Sequence, residues 1–447
     1  MKIGSSAVPS LSEATYDSIR KWYPSGSDKK DDDKNALIIQ DVDEKFFAAM
    51  YSFHGETLMA GGEAPRVVKE EISKKVSENN QCPYCITGHA MMYAAVMYAQ
   101  SKRKPSSNSG SDDGKASGTG SASSKLTKKQ KKEEEEQQLK EYTTQAVAYA
   151  ELLQMAERGI SKLPSPRKIL KKFPLLNEKA KVEIACVVLL VGHMNRVADT
   201  LVGPSMFPSW MPNVVSNFMV NRPSLWARFM IKYMGIDKPL KEGFSNKIFE
   251  KQPSSAINKS SFEEDLPIHL EGIKNGGVGR STSVGRLHVA CELFYEEEIS
   301  KHVSRRILQK IEEATSIEKK PVKIQPKAVP IFVNRVVESM YKEEREGIDG
   351  EEAKETTGGG SRLTEIEKVV AWVLLASAAA PSMVYMSDQW NTMVNELGVE
   401  TSRKIVVWFS AYWSLKHIQG LYVLPDNMSM TTNNTTSNDS SDRKKEK

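Results

Sequence analysis

The sequence predicts an all-α protein. Five stretches between residues 42 and 203 repeat apolar side chains at intervals of three and four, the spacing of an amphipathic helix. They read VDEKFFAAMYSFHGETLMAG, APRVVKEEISKKVSE, PYCITGHAMMYAAVMYAQ, EYTTQAVAYAELLQMAERG and EKAKVEIACVVLLVGHMNRVADTLVG. No stretch alternates polar and apolar residues between hairpin turns, as antiparallel strands would. Helices packed on helices are therefore expected.

Composition narrows the class of protein further. The 447 residues are 39% hydrophobic and 27% charged, typical of a soluble globular chain with two or three domains. The 62 basic and 57 acidic residues give a net charge of +5, so neither a nucleic-acid nor an anionic-membrane partner is indicated. The N-terminus lacks the apolar segment of a secretory signal, and we expect a cytoplasmic protein, with an organelle not excluded.

One apolar stretch resembles a membrane span by composition. Residues 369–387, VVAWVLLASAAAPSMVYMS, carry no charge. They are barely long enough to cross a bilayer, are rich in Ala and Ser, and contain Pro381. We expect a buried core helix that is interrupted near this proline.

Changes in composition divide the chain into segments. Three polar, low-complexity segments offer little to bury and are expected to be disordered: an insert at 103–138, a linker at 345–361 and a tail at 425–447. Within the insert, the run KKQKKEEEEQQ also suits a solvated helix. The predicted organisation is a flexible start (1–36), a catalytic unit (37–220), a helical connector (221–327), a second helical unit (328–424) and the tail.

The second helical unit resembles a degenerate copy of the first. AVPIFVNRVVESMYKE at 328–343 corresponds to FFAAMYSF, and LTEIEKVVAWVLLAS to APRVVKEEISKKVSE. AAAPSMVYMSDQW takes the place of QCPYCITGHAMMY, and residues 402–423 resemble 180–203. Because the second copy has Ala and Ser where the first has cysteines, only the first would hold a working site.

The stretch CPYCITGH carries the chemistry. Asn79 or Asn80 is predicted to cap a helix with Pro83 in its first turn, which places Cys82, Cys85 and His89 along one stripe. The two sulfurs would then be close enough to form a disulfide. One turn beyond Cys85, the His89 imidazole could accept the thiol proton.

The cysteines and histidines also allow a zinc site or simple core packing. A structural zinc site needs four ligands, and Cys186 and Cys291 are isolated, so zinc is disfavoured. A buried cysteine pair beside a core histidine is the plainest alternative, and redox chemistry is favoured over it because Cys and His are otherwise scarce. His193 and Arg196 suit helix packing better than a pocket, and Cys186 in an apolar run is expected to be inert.

Acidic residues precede the cysteine motif on RVVKEEISKKVSE. Glu70, Glu71 or Glu78 could orient His89 or relay its proton, or all three could form a solvated face with the interleaved lysines 69, 74 and 75. The spacing does not decide which glutamate turns inward.

The motif resembles that of the carboxymuconolactone decarboxylase/alkyl hydroperoxidase D-like family, in its peroxidase-related subgroup. The family's hallmark is a glutamate twelve residues before the first cysteine of C-x-x-C-x-x-x-H, and EEISKKVSENNQCPYCITGH places Glu70 at that distance from Cys82. QAVAYAELLQMAE and VEIACVVLLVGHMNRVADTLVG are similar to the helices that follow in such proteins. The resemblance covers residues 40–205 and, more faintly, 328–423.

The resemblance implies a function and roles. Cys85 would be the peroxidatic cysteine, Cys82 the more exposed resolving cysteine, and Glu70 with His89 the proton relay. Relatives are all-helical and commonly oligomeric, and they need no metal or bound cofactor. The resemblance thus implies an antioxidant peroxidase or disulfide oxidoreductase that acts on a hydroperoxide and is restored by a dithiol protein or small thiol, with homo-oligomers allowed.

Two departures and two alternatives accompany this prediction. Some alkyl hydroperoxidases have a histidine inside the CxxC, where this chain has Tyr84, and the insert at 103–138 replaces a short connection. A fused second copy could take the place of a partner subunit. The alternatives are a helical scaffold with a vestigial motif and, disfavoured by the cysteine pair, a lactone decarboxylase.

Overall fold

The structure is a computed structural model, and it confirms the all-α class. It describes residues 38–102, 128–157, 171–205, 280–317, 364–379, 381–385 and 387–419, with a few single positions besides. These residues form ten α-helices and contain no strand. The expected disorder at 1–35, 103–127, 345–361 and 425–447, and nearly all of the helix expected at 328–343, fall outside the described residues.

The helices of the first half match the predicted stretches. They are α1 (Glu44–His54), α2 (Arg66–Asn80), α3 (Pro83–Lys102), α4 (Lys128–Glu157) and α5 (Glu178–Val197). A π-helical turn continues α1 (Gly55–Met59), and a second continues α5 (Ala198–Val202). Side-chain caps start two of these helices: Asp43 accepts from the N–H of Phe46 at 2.8 Å, and Asn177 from that of Ala180 at 2.8 Å.

The helices of the second half begin before residue 328. They are α6 (Arg280–Glu297), α7 (Arg305–Ile317), α8 (Glu365–Ala379), α9 (Asp388–Leu397) and α10 (Val399–Gln419). Short 3₁₀ turns lie at Ile38–Gln40, Ile299–Lys301 and Pro381–Met383. α6 and α7 fall in the predicted connector, where α6 packs against α1 and α10. The internal repeat itself stays a prediction.

The start of α4 corrects the predicted extent of the insert. The disorder expected over 103–138 is wrong for residues 128–138, which form the first turns of α4. Their KKQKKEEEEQQ sequence therefore forms the solvated helix that its charge pattern also suits. Opposite charges three and four residues apart support an exposed helix of this kind.

α5 is the centre of the molecule. Most of its residues are buried, and it packs against α2, α4 and α10. Within the described residues, Glu178–Val202 is the one helical stretch long and apolar enough to cross a membrane, and 89% of its apolar window is buried inside the protein. This burial is that of a core helix.

α8 agrees with the prediction for the other apolar stretch. Residues Val370 to Ala378 are buried, and the helix ends at Ala379, just before Pro381. A proline cannot donate the hydrogen bond that would continue the helix, and it disfavours helical backbone in the residue before it. The predicted interrupted core helix is thus confirmed.

A cluster of aromatic rings joins α6 to α10. Trp408 stacks on Tyr295 and Tyr412 at ring-centroid distances of 5.1 and 5.0 Å, and its Nε1 donates to the carbonyl of Cys291 at 2.9 Å. These contacts bury large rings and satisfy the indole N–H. The two halves therefore share one hydrophobic core.

Only Gln81 and Cys82 separate α2 from α3. Gln81 lies in the left-handed region (φ 59°), its N–H bonds to Glu78 O at 3.1 Å, and the N–H of Cys82 bonds to Ser77 O at 3.0 Å. This is the Schellman pattern that ends a helix. The carbonyl of Cys82 then accepts from the N–H of Ile86 at 2.9 Å and begins α3.

The predicted asparagine caps are wrong, although Pro83 does begin α3. Asn79 and Asn80 belong to the last turn of α2, because the left-handed residue that ends this helix comes only at Gln81. Both bond to Gln154 of α4: Asn79 Nδ2 donates to Gln154 Oε1 at 2.9 Å, and Gln154 Nε2 donates to Asn80 Oδ1 at 2.8 Å. Gln154 Nε2 also donates to Val76 O at 2.9 Å, so one buried amide clamps the corner between α2 and α3.

We expect Gln154→Ala to lower the free energy of unfolding by about 1 to 3 kcal/mol, because it leaves buried partners at the end of α2 unsatisfied. Urea denaturation of the two proteins measures this difference. Gln138→Ala, at an exposed position of the same helix, is the control and should stay within about 0.5 kcal/mol of the wild type. Equal stabilities of the three proteins would show that the clamp contributes nothing.

Candidate functional site

The two cysteines lie at the start of α3, inside the core. Cys82 is the residue before the helix, and its Sγ accepts from the N–H of Cys85 at 3.4 Å. The sulfur thus occupies the position of an N-cap side chain, where the unpaired N–H groups of the helix provide positive potential. Both cysteines are free thiols.

The predicted exposure of Cys82 is wrong. Cys82 is 0% exposed and Cys85 is 5% exposed, so the sulfur nearer the helix start is the more deeply buried one. The cause is the short corner: Cys82 belongs to the two-residue turn between α2 and α3, whereas Cys85 is in the first turn of α3. Cys82 therefore does not continue the helical stripe of Cys85 and His89 but caps it.

A buried carboxylate faces the histidine of the motif. Glu70 of α2 is 0% exposed, and its Oε2 lies 2.9 Å from Nδ1 of His89 on α3. Its other oxygen, Oε1, accepts from Nε of Arg66 at 2.6 Å. Burial alone would raise the pKa of Glu70, but Arg66 and His89 outweigh it and bring this pKa down to about 2.

This network fixes the tautomer of His89. An ionised carboxylate can only accept hydrogen bonds, so His89 must donate its Nδ1–H to Glu70. In the neutral ring, Nε2 is then the basic nitrogen. Cys85 precedes His89 by one helical turn, so the two side chains share a face of α3.

The structure decides among the three glutamates. Glu70 turns inward, whereas Glu78 is exposed and pairs with Lys74 at 3.7 Å and Lys75 at 3.8 Å. Glu71 is partly buried. Sequence spacing left this choice open because Glu70 and Glu71 are adjacent on α2. Only the packing of α2 against α3 determines which of the two faces His89.

Tyr84, inside the CxxC, holds the backbone of Ala36 by a hydrogen bond. Its hydroxyl accepts from the N–H of Ala36 at 3.3 Å, and burial raises its pKa to about 12. A neutral phenol held in this way has no basic nitrogen with which to join a proton relay.

Sequence reasoning missed two groups beside Glu70. Arg66, one turn before Glu70, also donates through Nη1 to the carbonyl of Leu58. His54 lies near the same groups, and burial together with the Arg66 guanidinium lowers its pKa to about 4, so this ring is neutral at pH 7. The spacing of Arg66 and Glu70 by four residues was the available signal.

The more important omission is Asp199, in the π-helical turn after α5. Its carboxylate lies beside the Cys82 thiol, which hydrogen-bonds to it. Asp199 is 4% exposed, and burial raises its pKa to about 7 despite that hydrogen bond. The signal in the sequence was an acid inside the apolar run VADTLV, since an acid that folds into a core needs a partner there.

The Cys82 thiol is held in its protonated form. Its pKa is raised because the Cys85 sulfur, burial and the Asp199 carboxylate all disfavour a thiolate at this position. The hydrogen bond between the two thiols also shows that the sulfurs are neighbours. Cys82 therefore remains a protonated thiol next to Cys85.

The remaining candidates are packing residues. His193 is buried, its Nε2 lies 2.8 Å from Gln40 Oε1, and burial with Arg196 lowers its pKa to about 3. Arg196 donates to Ser414 Oγ at 2.6 Å. Cys186 and Cys291 are buried, as expected of inert thiols, and burial raises the pKa of Cys291 well above its usual value.

A cleft of about 620 Å³ runs between α2, α3 and α4. Its lining includes Glu71 of α2, Tyr93 and Met97 of α3, and Leu139 of α4. Neither cysteine lines it. Among the described residues, no group of three or more His, Cys, Asp or Glu side chains could hold a metal ion.

Comparisons with protein-family models, with curated proteins and with solved structures find no match to this chain. The assignment to a family therefore stays a prediction from the motif.

We expect Glu70→Gln to lower the free energy of unfolding at pH 7 by about 3 kcal/mol or more, because it leaves Arg66 without its buried counter-charge. The pKa of Glu70 is lowered on folding, so its contribution is complete above about pH 4.5 and is lost as the pH falls towards 2. The difference between variant and wild type should therefore shrink in urea denaturation as the pH is lowered from 7 to 3. Glu71→Gln is the matched control, and a pH-independent loss in Glu70→Gln would contradict the assignment.

Proposed function

We propose that this protein is a thiol-dependent peroxidase of the alkyl hydroperoxidase D-like type, which reduces a hydroperoxide at Cys85. The observation that carries the proposal is the 2.9 Å hydrogen bond between Glu70 Oε2 and His89 Nδ1. It makes His89 Nε2 a base one helical turn from a cysteine that has a second cysteine beside it. Activation of a thiol by an oriented imidazole is the usual requirement for nucleophilic sulfur.

The reaction balances with these groups alone. His89 Nε2 takes the proton of Cys85, and the thiolate attacks the terminal oxygen of the hydroperoxide and breaks the O–O bond. The alkoxide that leaves receives the proton from His89 as the alcohol, and Cys85 becomes a sulfenic acid. Cys82 then displaces water from that sulfur to form the disulfide, and a dithiol returns two electrons and two protons.

Arg66 has a supporting role in this scheme. It keeps Glu70 ionised, and an ionised Glu70 stabilises the imidazolium that forms when His89 takes the proton. Arg66 therefore acts on the proposed reaction through Glu70 and His89.

The alternative is a helical scaffold in which the motif only packs. The burial of both thiols, 0% and 5% exposed, favours this second candidate. A scaffold, however, gains nothing from a buried acid, arginine and imidazole in series. Such networks have a desolvation cost that an apolar core avoids.

Cysteine variants separate the two functions. We expect the native protein to lose two thiols per chain on addition of an organic hydroperoxide and to consume peroxide with dithiothreitol as reductant. Cys85→Ser should abolish both, whereas Cys82→Ser, in the absence of reductant, should consume one equivalent and stop at the sulfenic acid. Thiol titration and peroxide assays measure these outcomes. Cys186→Ser should match the wild type, and thiols that react only after unfolding would favour the scaffold.

The relay should show in the pH dependence of the rate of peroxide reduction. His89→Asn is expected to slow reaction at pH 7 by about 100-fold, because general base catalysis contributes that order. The loss should diminish at high pH, where hydroxide deprotonates Cys85 directly. Glu70→Gln should give a smaller loss of the same form, with Tyr84→Phe as a control near the wild-type rate. A profile unchanged by either variant would remove that residue from the relay.

A further inference from the structure

Cys82 has an acid–base partner outside the Glu70–His89 pair. Its thiol hydrogen-bonds to the carboxylate of Asp199, whereas Cys85 lies one helical turn before His89. His89 is committed through Nδ1 to Glu70. The proton of Cys82 therefore has a hydrogen-bonded acceptor other than the imidazole.

Asp199 is placed as a proton acceptor and not as a structural ion pair. It is 4% exposed, and its Oδ2 has no hydrogen-bond partner in the part of the chain that the structure describes. Arg196, one turn earlier, donates to Ser414, and the hydroxyl of the next residue, Thr200, lies 3.4 Å from Ser377 Oγ. Burial raises the pKa of Asp199, and the hydrogen bond from Cys82 opposes that rise.

A structural acid in a core is usually satisfied by several donors or by a cation. The unpartnered Oδ2 is instead what a transient proton site requires, because it can bind the proton without breaking another bond. The turn that carries Asp199 is π-helical, a local form that is frequent at functional sites.

We propose that Asp199 is the general base for Cys82, receiving the thiol proton as Cys82 attacks the oxidised Cys85. The inference rests on the proposed function and assigns the second half of its cycle. The Cys82 S–H bond breaks, its proton moves to the Asp199 carboxylate, and the S–S bond forms as hydroxide leaves Cys85. Asp199 then returns the proton to that hydroxide, so that water and the disulfide are the products.

The assignment separates the two steps chemically. His89 and Glu70 govern formation of the sulfenic acid, whereas Asp199 governs closure of the disulfide. Because burial raises the pKa of Asp199 to about 7, closure should slow as the pH falls below 7 and the carboxylate becomes protonated. Formation of the sulfenic acid should not show this dependence on Asp199.

Asp199→Asn tests the inference in the full-length protein by single-turnover kinetics. With an organic hydroperoxide, trapping by dimedone reports the sulfenic acid and thiol loss reports the disulfide. We expect the variant to form sulfenic acid at the wild-type rate and to close the disulfide about 100-fold more slowly at pH 8. The inflection of the closure rate near pH 7, present in the wild type, should be absent from the variant.

A second arm does not depend on peroxidase activity. Dithiodipyridine forms a mixed disulfide at Cys85 and releases one thiopyridone, and attack by Cys82 releases the second. Asp199→Asn should slow only the second release. Thr200→Val, which disturbs the same turn but keeps the acid, should behave as the wild type.

The outcomes are distinguishable. Normal closure in Asp199→Asn, or a wild-type closure rate without an inflection near pH 7, would overturn the role of Asp199 and leave the peroxidase proposal standing. A second release that depends on Asp199, in a protein that does not react with peroxide, would support the role and reject the peroxidase. A native cysteine pair that reacts with neither reagent would overturn both.

Discussion

The corner between α2 and α3 is the constraint on which the site depends. Cys82 ends one helix through its N–H, bonded to Ser77, and begins the next through its carbonyl, bonded to Ile86. A residue committed at both backbone groups has little freedom, so its sulfur must lie at the start of α3. The left-handed Gln81 that makes the turn costs about 1 kcal/mol or more, and packing of α2 on α3 and the Gln154 clamp offset it.

The two buried acids of the site illustrate how environment sets protonation. Glu70 has a guanidinium and an imidazole as neighbours and stays ionised, with a pKa of about 2. Asp199 is also buried, but its neighbour is a thiol, and its pKa is about 7. Two carboxyl groups whose pKa values are pushed apart in this way can serve different steps of one reaction. One orients and stabilises a charge, and the other exchanges a proton.

The sequence predicted interactions within a single helix better than interactions between helices. Helical periodicity gave the helices of the first half, and the i,i+4 relation gave Cys85 with His89, because both depend on a single element. The pairing of His89 with a glutamate of α2 crosses two helices, and only the family motif singled out Glu70 among three candidates. The burial of Cys82, the inward turn of Asp199 and the use of Asn79 and Asn80 by Gln154 depend on tertiary packing. Periodicity carries no information about such contacts.

The second half of the chain bears directly on the site through the Asp199 turn. This turn is packed against the 3₁₀ turn Pro381–Met383 and flanked by contacts from α8 and α10. Just beyond it, Gly203 at φ +90° leaves room for the ring of Tyr385, which a Cβ would meet at 2.9 Å. The burial that raises the pKa of Asp199 thus comes partly from the second half. A chain whose second half lacks a cysteine motif of its own can therefore still shape the chemistry of the first, by excluding water from the acid beside Cys82.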